Sequence, residues 1–250
     1  MPELPQRPEP AGHSFFSSAV RTAFTAMRAQ RKALFAAILL LTSAFPAWSQ
    51  QPAAAALASR VDHHYNSLHS LEAHFTQTYE GMGMHRRESG VLLLKKAGAL
   101  RLSGKMRWTY SEPAGKLFVL DGHDGYFYAP GSAEAQRIPA KDLDDLHSPL
   151  RFLLGHTELE KELGHLLMTS GEDGTYVLSG VPKGMEQRVS SLSLTVTADG
   201  TIQAMKIEET DGVLNTFTFA DEHPNVPVTD SQFLFTPPPG VHVVTGMQPM

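Results

Sequence analysis

Among the side chains that carry chemistry, histidine is abundant and cysteine is missing: the 250 residues hold 12 of the first and none of the second. His63, His64, His69 and His74 crowd into one short stretch, and imidazole is a common metal ligand. A zinc hydrolase needs a spacing such as His-Glu-x-x-His and a carboxylate placed as its base, and this stretch offers neither. The four histidines therefore read as solvated residues on a helix face, without a metal. Asp144 and Asp145 are adjacent carboxylates, but neighbours in sequence seldom converge on one substrate atom, so capping or solvation is the better reading. The Gly-x-Ser-x-Gly of hydrolases, the Walker loop and the Gly-x-Gly-x-x-Gly fingerprint after a strand are absent, and there is no thiol nucleophile. No catalytic residue, no cofactor and no enzymatic activity are expected.

Positive charge gathers between Arg86 and Arg107, at Arg86, Arg87, Lys95, Lys96, Arg101, Lys105 and Arg107. Two readings stay open. The run is either a solvated sheet edge whose lysines discourage strand pairing, or a positive rim that meets an anionic partner surface or lipid headgroup.

The N-terminus carries an export signature. Arg28, Arg31 and Lys32 precede the unbroken apolar run Ala33 to Leu41, and Ala47-Trp48-Ser49 before Gln50 places small residues where a signal peptidase reads. Residues 1–49 are expected to be a cleaved signal peptide, because the apolar run is shorter than the ~20 residues that span a bilayer. Met27 opens a signal peptide of ordinary length, so residues 1–26 are read as a mis-assigned extension. Residues 50–250 are expected to form a single domain in the periplasm, as a monomer. Five of the 21 Lys and Arg and two of the 26 Asp and Glu precede residue 50, which leaves 16 basic against 24 acidic residues, a net of −8. That sign disfavours a nucleic-acid partner. The lack of cysteine excludes a disulfide framework and lipid attachment behind the signal.

The elements that hold these residues follow from apolar periodicity. From Gln50 to about Tyr79, the spacing of Leu57, Val61, Tyr65, Leu68, Leu71 and Phe75 predicts a helix. Glu88 to Lys96 reads as a strand. In Gly104 to Pro113, Met106, Trp108 and Tyr110 alternate with Lys105, Arg107 and Thr109, the period of a strand with one bulky apolar face. Leu117 to Leu120 and Tyr126 to Tyr128 continue as a hairpin around Asp121-Gly122-His123-Asp124-Gly125. Ile138 to Asp145 reads as an acidic connection. Ser148 to Gly155 has the grammar of a short helix, with a Ser cap, Pro at its first position and Gly at its end, and Glu158 to Met168 as a further helical turn. Strands are expected at Tyr176 to Ser179, Leu192 to Val196, Ile202 to Ile207, Leu214 to Phe219 and Phe233 to Phe235, with hairpin turns at Asp199-Gly200 and Asp211-Gly212. The sum is a mainly β chain with α-helices, an antiparallel sheet wrapped on helices. Its apolar face reads either as an internal cavity with a lid or as an ordinary closed core.

Several of these pieces, in this order, resemble the LolA family of periplasmic lipoprotein carriers. They are Phe75-x-Gln77, Gly90, Met106-Arg107-Trp108-x-Tyr110-x-x-Pro113, and Asp121-Gly122 before Tyr126-Phe127-Tyr128-x-Pro130. Ser148-Pro149, Asp199-Gly200-Thr201-Ile202 and Phe233-x-Phe235-Thr236-Pro237-Pro238-x-Gly240-Val241 continue the series. The resemblance implies a curved, incomplete antiparallel β-barrel closed by a helical lid. It implies binding of acylated lipoproteins, taken from an inner-membrane ABC-type exporter like LolCDE and handed to an outer-membrane receptor like LolB. It also implies an acyl-chain cavity of Phe75, Met106, Trp108, Phe118 and Phe127, with Leu150, Phe152 and Leu153 on the lid. Family members carry a basic residue followed by Pro shortly before the Trp, tied to the lid and to release. Position 102 here is Leu, and the counterparts are Lys96 or Arg101, with Arg107 as a further basic contact. A related lipid-binding or envelope-sensing domain without transfer activity is the alternative.

Overall fold

Ala54–Ser67 forms helix α1, built from strong helix formers. Leu57, Ala58, Val61 and Tyr65 share its buried face. The computed structural model describes residues 53–96, 104–139 and 158–246. The helix stops well short of Tyr79. Leu68 N–H closes back on the Tyr65 carbonyl, and strand β1 begins at once (Ser70–Gly81). Leu68, Leu71 and Phe75 satisfy a helical spacing, but Leu71, Ala73 and Phe75 also alternate with Glu72, His74 and Thr76. Pairing decides between the two periods, because β1 lies between two partner strands that satisfy its backbone groups on both sides. His63 and His64 thus sit on the helix, His69 comes after it, and His74 lies on a strand.

Eleven further strands complete the described sheet: β2 (Met84–Lys95), β3 (Lys105–Glu112), β4 (Leu117–Leu120), β5 (Asp124–Tyr128), β6 (Glu134–Pro139), β7 (Leu163–Ser170), β8 (Tyr176–Pro182), β9 (Val189–Val196), β10 (Ile202–Glu209), β11 (Leu214–Pro224) and β12 (His242–Thr245). Their order is β12-β6-β5-β4-β3-β2-β1-β11-β10-β9-β8-β7. All neighbours are antiparallel except β12 and β6, which run parallel. The hairpin turns expected at Asp199-Gly200 and Asp211-Gly212 are present, with φ of +100° at Gly200 and +87° at Gly212. A four-residue helix, α2 (Leu159–Glu162), precedes β7, so the stretch Glu158 to Met168 is mostly strand. Ile138 and Pro139, expected in a connection, end β6. The helix expected at Ser148 to Gly155 lies outside the described residues.

One face of this sheet shares a core with α1 from β3 across to β7. Buried residues of β1, β2, β3, β8, β9, β10 and β11 share a single core with Leu57, Ala58, Val61 and Tyr65 of the helix. A sheet can present strands so far apart to one helix only by curling around it, and it remains open between β7 and β12. The described residues belong to the compact unit Pro52–Met250. Among them, no helix is long and apolar enough to cross a membrane.

The opposite, convex face has its own cover. Alternation predicts a strand at Phe233 to Phe235, yet Asp230–Phe233 is a 3-10 turn within a strap running back from β11 to β12. Phe233 is fully buried with Leu93 and Val119, flanked by Leu117, Val226, Val228 and Phe235. The strands beneath it, β2 to β5, are already paired on both edges, so these phenylalanines could find burial on the sheet but no ladder to join. Arg107 Nη1 donates to the Gln232 carbonyl at 3.1 Å, Asp230 pairs with Lys95 at 2.7 Å and Lys105 at 3.1 Å, and Phe235 stacks on Tyr126. Three residues of the basic run thus clip the strap to the outer face.

Candidate functional site

The concave face is assembled row by row from strand register. Leu71, Leu94, Met106 and Leu120 lie opposite one another across β1 to β4, and Ala73, Leu92, Trp108, Phe118 and Phe127 form the next row, reaching β5. Alternation along each strand turns both rows inward. Phe75 and Trp108 meet edge to face at 4.5 Å, Phe75 and Tyr110 at 5.1 Å, and Trp108 and Phe217 at 5.5 Å. The structure therefore brings Phe75, Met106 and Trp108 into one cluster, packs Phe118 against it, and sets Phe127 directly beyond Phe118. Leu150, Phe152, Leu153 and Arg101 lie outside the described residues.

The far half of the sheet supplies an equal share that sequence reasoning does not select. Leu178, Leu194, Met205 and Phe217 are buried in the same cluster, with Met168 and Phe219 packed against it. The signal is present in Phe217-x-Phe219 and Leu192-x-Leu194-x-Val196, each an alternating strand pattern of the kind that singles out Trp108.

Polar groups bound this apolar floor. On one side, Tyr110 O–H donates to Gln77 Oε1 at 3.2 Å, and Gln77 Nε2 donates to Asn215 Oδ1 at 3.1 Å. Lys116 Nζ lies 4.4 Å above the Tyr110 ring and pairs with Glu88. Burial, with Glu88 nearby, pushes the Tyr110 phenol well above its ordinary pKa. On the other side, Tyr65 O–H donates to Glu222 Oε2 at 3.0 Å and accepts the Ile202 N–H at 3.0 Å, while His64 Nε2 lies 2.8 Å from Glu222 Oε1. Burial first, and the Glu222 charge second, raise the Tyr65 phenol too. Both tyrosines stay neutral donors. A crevice opens here between Tyr65, Leu71, Ala73, Leu92, Ile202, Phe219 and Glu222. Six of its seven lining residues present apolar surface or an aromatic ring, and its volume of about 10 Å³ is that of a single water, so it is a seam in a closed apolar core with one carboxylate at its edge.

The three basic residues named from the sequence do not form one described cluster. Arg107 faces the convex side, where it holds the strap, and burial lowers the pKa of its guanidinium. Lys96 comes directly after β2, its backbone N–H donating to the His69 carbonyl at 2.9 Å. Burial pulls the pKa of its ammonium down to about 8. At pH 8 about half of this amine is neutral, against roughly one part in 300 for an ordinary lysine. An amine-acylating reagent at pH 8 is expected to modify Lys96 first among the lysines, with the preference shrinking as pH rises; peptide mapping by mass spectrometry checks it. Equal labelling of all lysines at pH 8 would contradict the depressed pKa.

Among the described residues, no group of three or more His, Asp and Glu is placed to hold a metal ion. His64 and His74 face single carboxylates, Glu222 and Asp221. The Ser67 hydroxyl donates to the His64 backbone carbonyl, not to its ring.

Known proteins bear on this apolar face directly. A family model described as "Outer membrane lipoprotein carrier protein LolA" matches residues 66–236. The outer-membrane lipoprotein carrier protein of Sodalis glossinidius is 30% identical over 210 residues, spanning 83% of this chain and 92% of its own. That of Chromobacterium violaceum is 26% identical over 209 residues, spanning 83% and 97%. Among solved structures, a LolA superfamily protein from Nitrosomonas europaea shares 12% identity at a TM-score of 0.39, covering 74% of this chain and 99% of its own. The family match takes in β1 to β11 and most of the strap, hence every strand of the shared core, and the chain belongs to the LolA family of outer-membrane lipoprotein carrier proteins.

Proposed function

We propose that this protein is a periplasmic chaperone that receives acylated lipoproteins from an inner-membrane ABC-type exporter like LolCDE and delivers them to an outer-membrane receptor like LolB. The observation that carries the reading is the family match over a face lined by Trp108, Phe75, Phe217, Met106 and Met205. Residues 1–49 are its cleaved signal peptide, and residues 50–250 the single carrier domain.

Energetics explain why such a carrier is needed and what its surface must be like. A buried acyl methylene is worth ~0.8 kcal/mol, so two or three chains of about sixteen carbons confront water with on the order of 20 kcal/mol or more of apolar surface. Free diffusion between membranes is excluded. The surface that shields these chains must also release them, which favours methionine, leucine and aromatic rings that repack over a rigid slot. In this reading Phe75, Met106, Trp108, Phe118 and Phe127 contact the acyl chains, Leu150, Phe152 and Leu153 form a lid that opens as they enter, and Lys96 or Arg101 governs its closure.

Transfer separates this function from a lipid-binding or envelope-sensing domain on the same fold. Mature protein loaded with a fluorescent triacylated lipoprotein is expected to pass it to outer-membrane vesicles faster than to protein-free liposomes. Retention of the cargo in both cases would favour the sensing alternative. Phe152→Glu is expected to abolish loading, and normal loading of that variant would remove the lid from the proposal.

A further inference from the structure

The tip of the β1–β2 hairpin has a use that carriage does not explain. Gly81 pairs with Met84, so Met82 and Gly83 form a two-residue turn, with φ of +52° and +76°. Positive φ at both central residues is the type I′ geometry, whose first position strongly prefers Asn, Asp or Gly. A Met there is held in a backbone region that long side chains rarely adopt. Folding recovers nothing from its burial, because Met82 is 77% exposed and Met84 49%. Strain is thus sustained where its visible result is to display two apolar, polarizable side chains in water.

Cations stand immediately behind the display. Arg86 lies opposite Tyr79 in the ladder, its guanidinium 5.2 Å from the ring centroid, and Arg87 is next in the strand, both exposed. Of the nearby carboxylates, Glu88 pairs with Lys116, Glu80 lies 3.2 Å from His85, and Asp211, in the turn beside Gly81, accepts the Val213 N–H at 3.1 Å. At about 3.3 Å per residue, the arginines are set ~7–10 Å behind Met84. That is the depth over which an interfacial apolar group sinks to the headgroup–acyl boundary, roughly 5–10 Å.

We infer that this tip is a contact for an anionic lipid bilayer. Met82 and Met84 enter at the acyl boundary, Arg86 and Arg87 meet the lipid phosphates, and Tyr79 lies at the interface, where amphipathic rings concentrate. Flexible methionines suit a fluid surface, whereas the anchors of protein interfaces are rigid aromatics and arginines in fixed pockets. The net of −8 on residues 50–250 repels the same bilayer, so contact is confined to the tip, weak and sensitive to salt. The inference does not rest on acyl-chain carriage.

Co-sedimentation of the mature protein with phosphatidylcholine vesicles, with and without an equal part of phosphatidylglycerol, tests it. Binding is expected only to the anionic vesicles and is expected to vanish at ~0.5 M salt. Arg86→Gln and Arg87→Gln are each expected to weaken it about fivefold. Met82→Asn is decisive because it relieves the turn: it is expected to raise Tm by about 2–4 °C and yet lose vesicle binding. The inference is overturned if neutral and anionic vesicles bind alike, if Met82→Asn binds as the wild type does, or if the tip engages only a protein partner.

Discussion

Trp108→Ala is expected to lower the free energy of unfolding by about 3–5 kcal/mol, and Tm by on the order of 10 °C for a domain of this size. The indole is 2% exposed and lies between Leu92 and Phe118 on the adjacent strands. It meets Phe75 at 4.5 Å and Phe217 at 5.5 Å, and each such edge-to-face pair contributes roughly 0.5–1.5 kcal/mol beyond area. Its neighbours are fixed by ladders on both sides, so the space left by truncation cannot collapse. The same vacancy would remove the largest aromatic surface from the proposed acyl site. Equilibrium denaturation measures the first effect, and a loss below about 1 kcal/mol would contradict the tight packing described.

Gly200→Ala is expected to undock α1, at a cost of about 3 kcal/mol or more. A Cβ at Gly200 would lie 2.6 Å from the Arg60 carbonyl carbon, 2.7 Å from its oxygen and 2.8 Å from Val61 N, with φ at +100°. These are backbone atoms of the helix and cannot swing aside. The contact is locked nearby by Arg60 Nη1 donating to the Ala198 carbonyl at 2.8 Å, and by Tyr65 at Ile202. Gly212→Ala is the control. It shares the positive φ, at +87°, but a Cβ there meets nothing within 4 Å, so it carries only the conformational cost of about 1 kcal/mol. Faster amide exchange across Leu57 to Tyr65 and higher binding of a hydrophobic dye are expected for Gly200→Ala alone. Equal behaviour of the two variants would mean that α1 does not rest on this turn.

Legibility in the sequence tracks the range of the interactions. Met106, Trp108 and Tyr110 announce β3 because a half-buried strand needs only local alternation, and the Asp-Gly turns announce their hairpins for the same reason. Ser70–Gly81 misleads because Leu68, Leu71 and Phe75 fit a helical spacing, while the small Ala73 that completes the two-residue period draws no notice. Phe233 and Phe235 look like a strand until the sheet is seen to have no free edge beneath them. The parallel pairing of β12 with β6, and Tyr65 with Glu222 at a separation of 157 residues, leave no trace in any short window. The site divides similarly: the aromatics of β3 to β5 emerge from alternation and family resemblance together and Phe75 from the resemblance alone, whereas Met205, Phe217 and Phe219 become partners of Trp108 and Phe75 only when β11 closes on β1.

Carriage of acyl chains is tested most directly by native mass spectrometry of residues 50–250, mixed with detergent-solubilised triacylated lipoprotein and with its unacylated form. A one-to-one complex with the acylated form, absent with the unacylated one, is the predicted result. Equal complexes with both, or none with either, would contradict it.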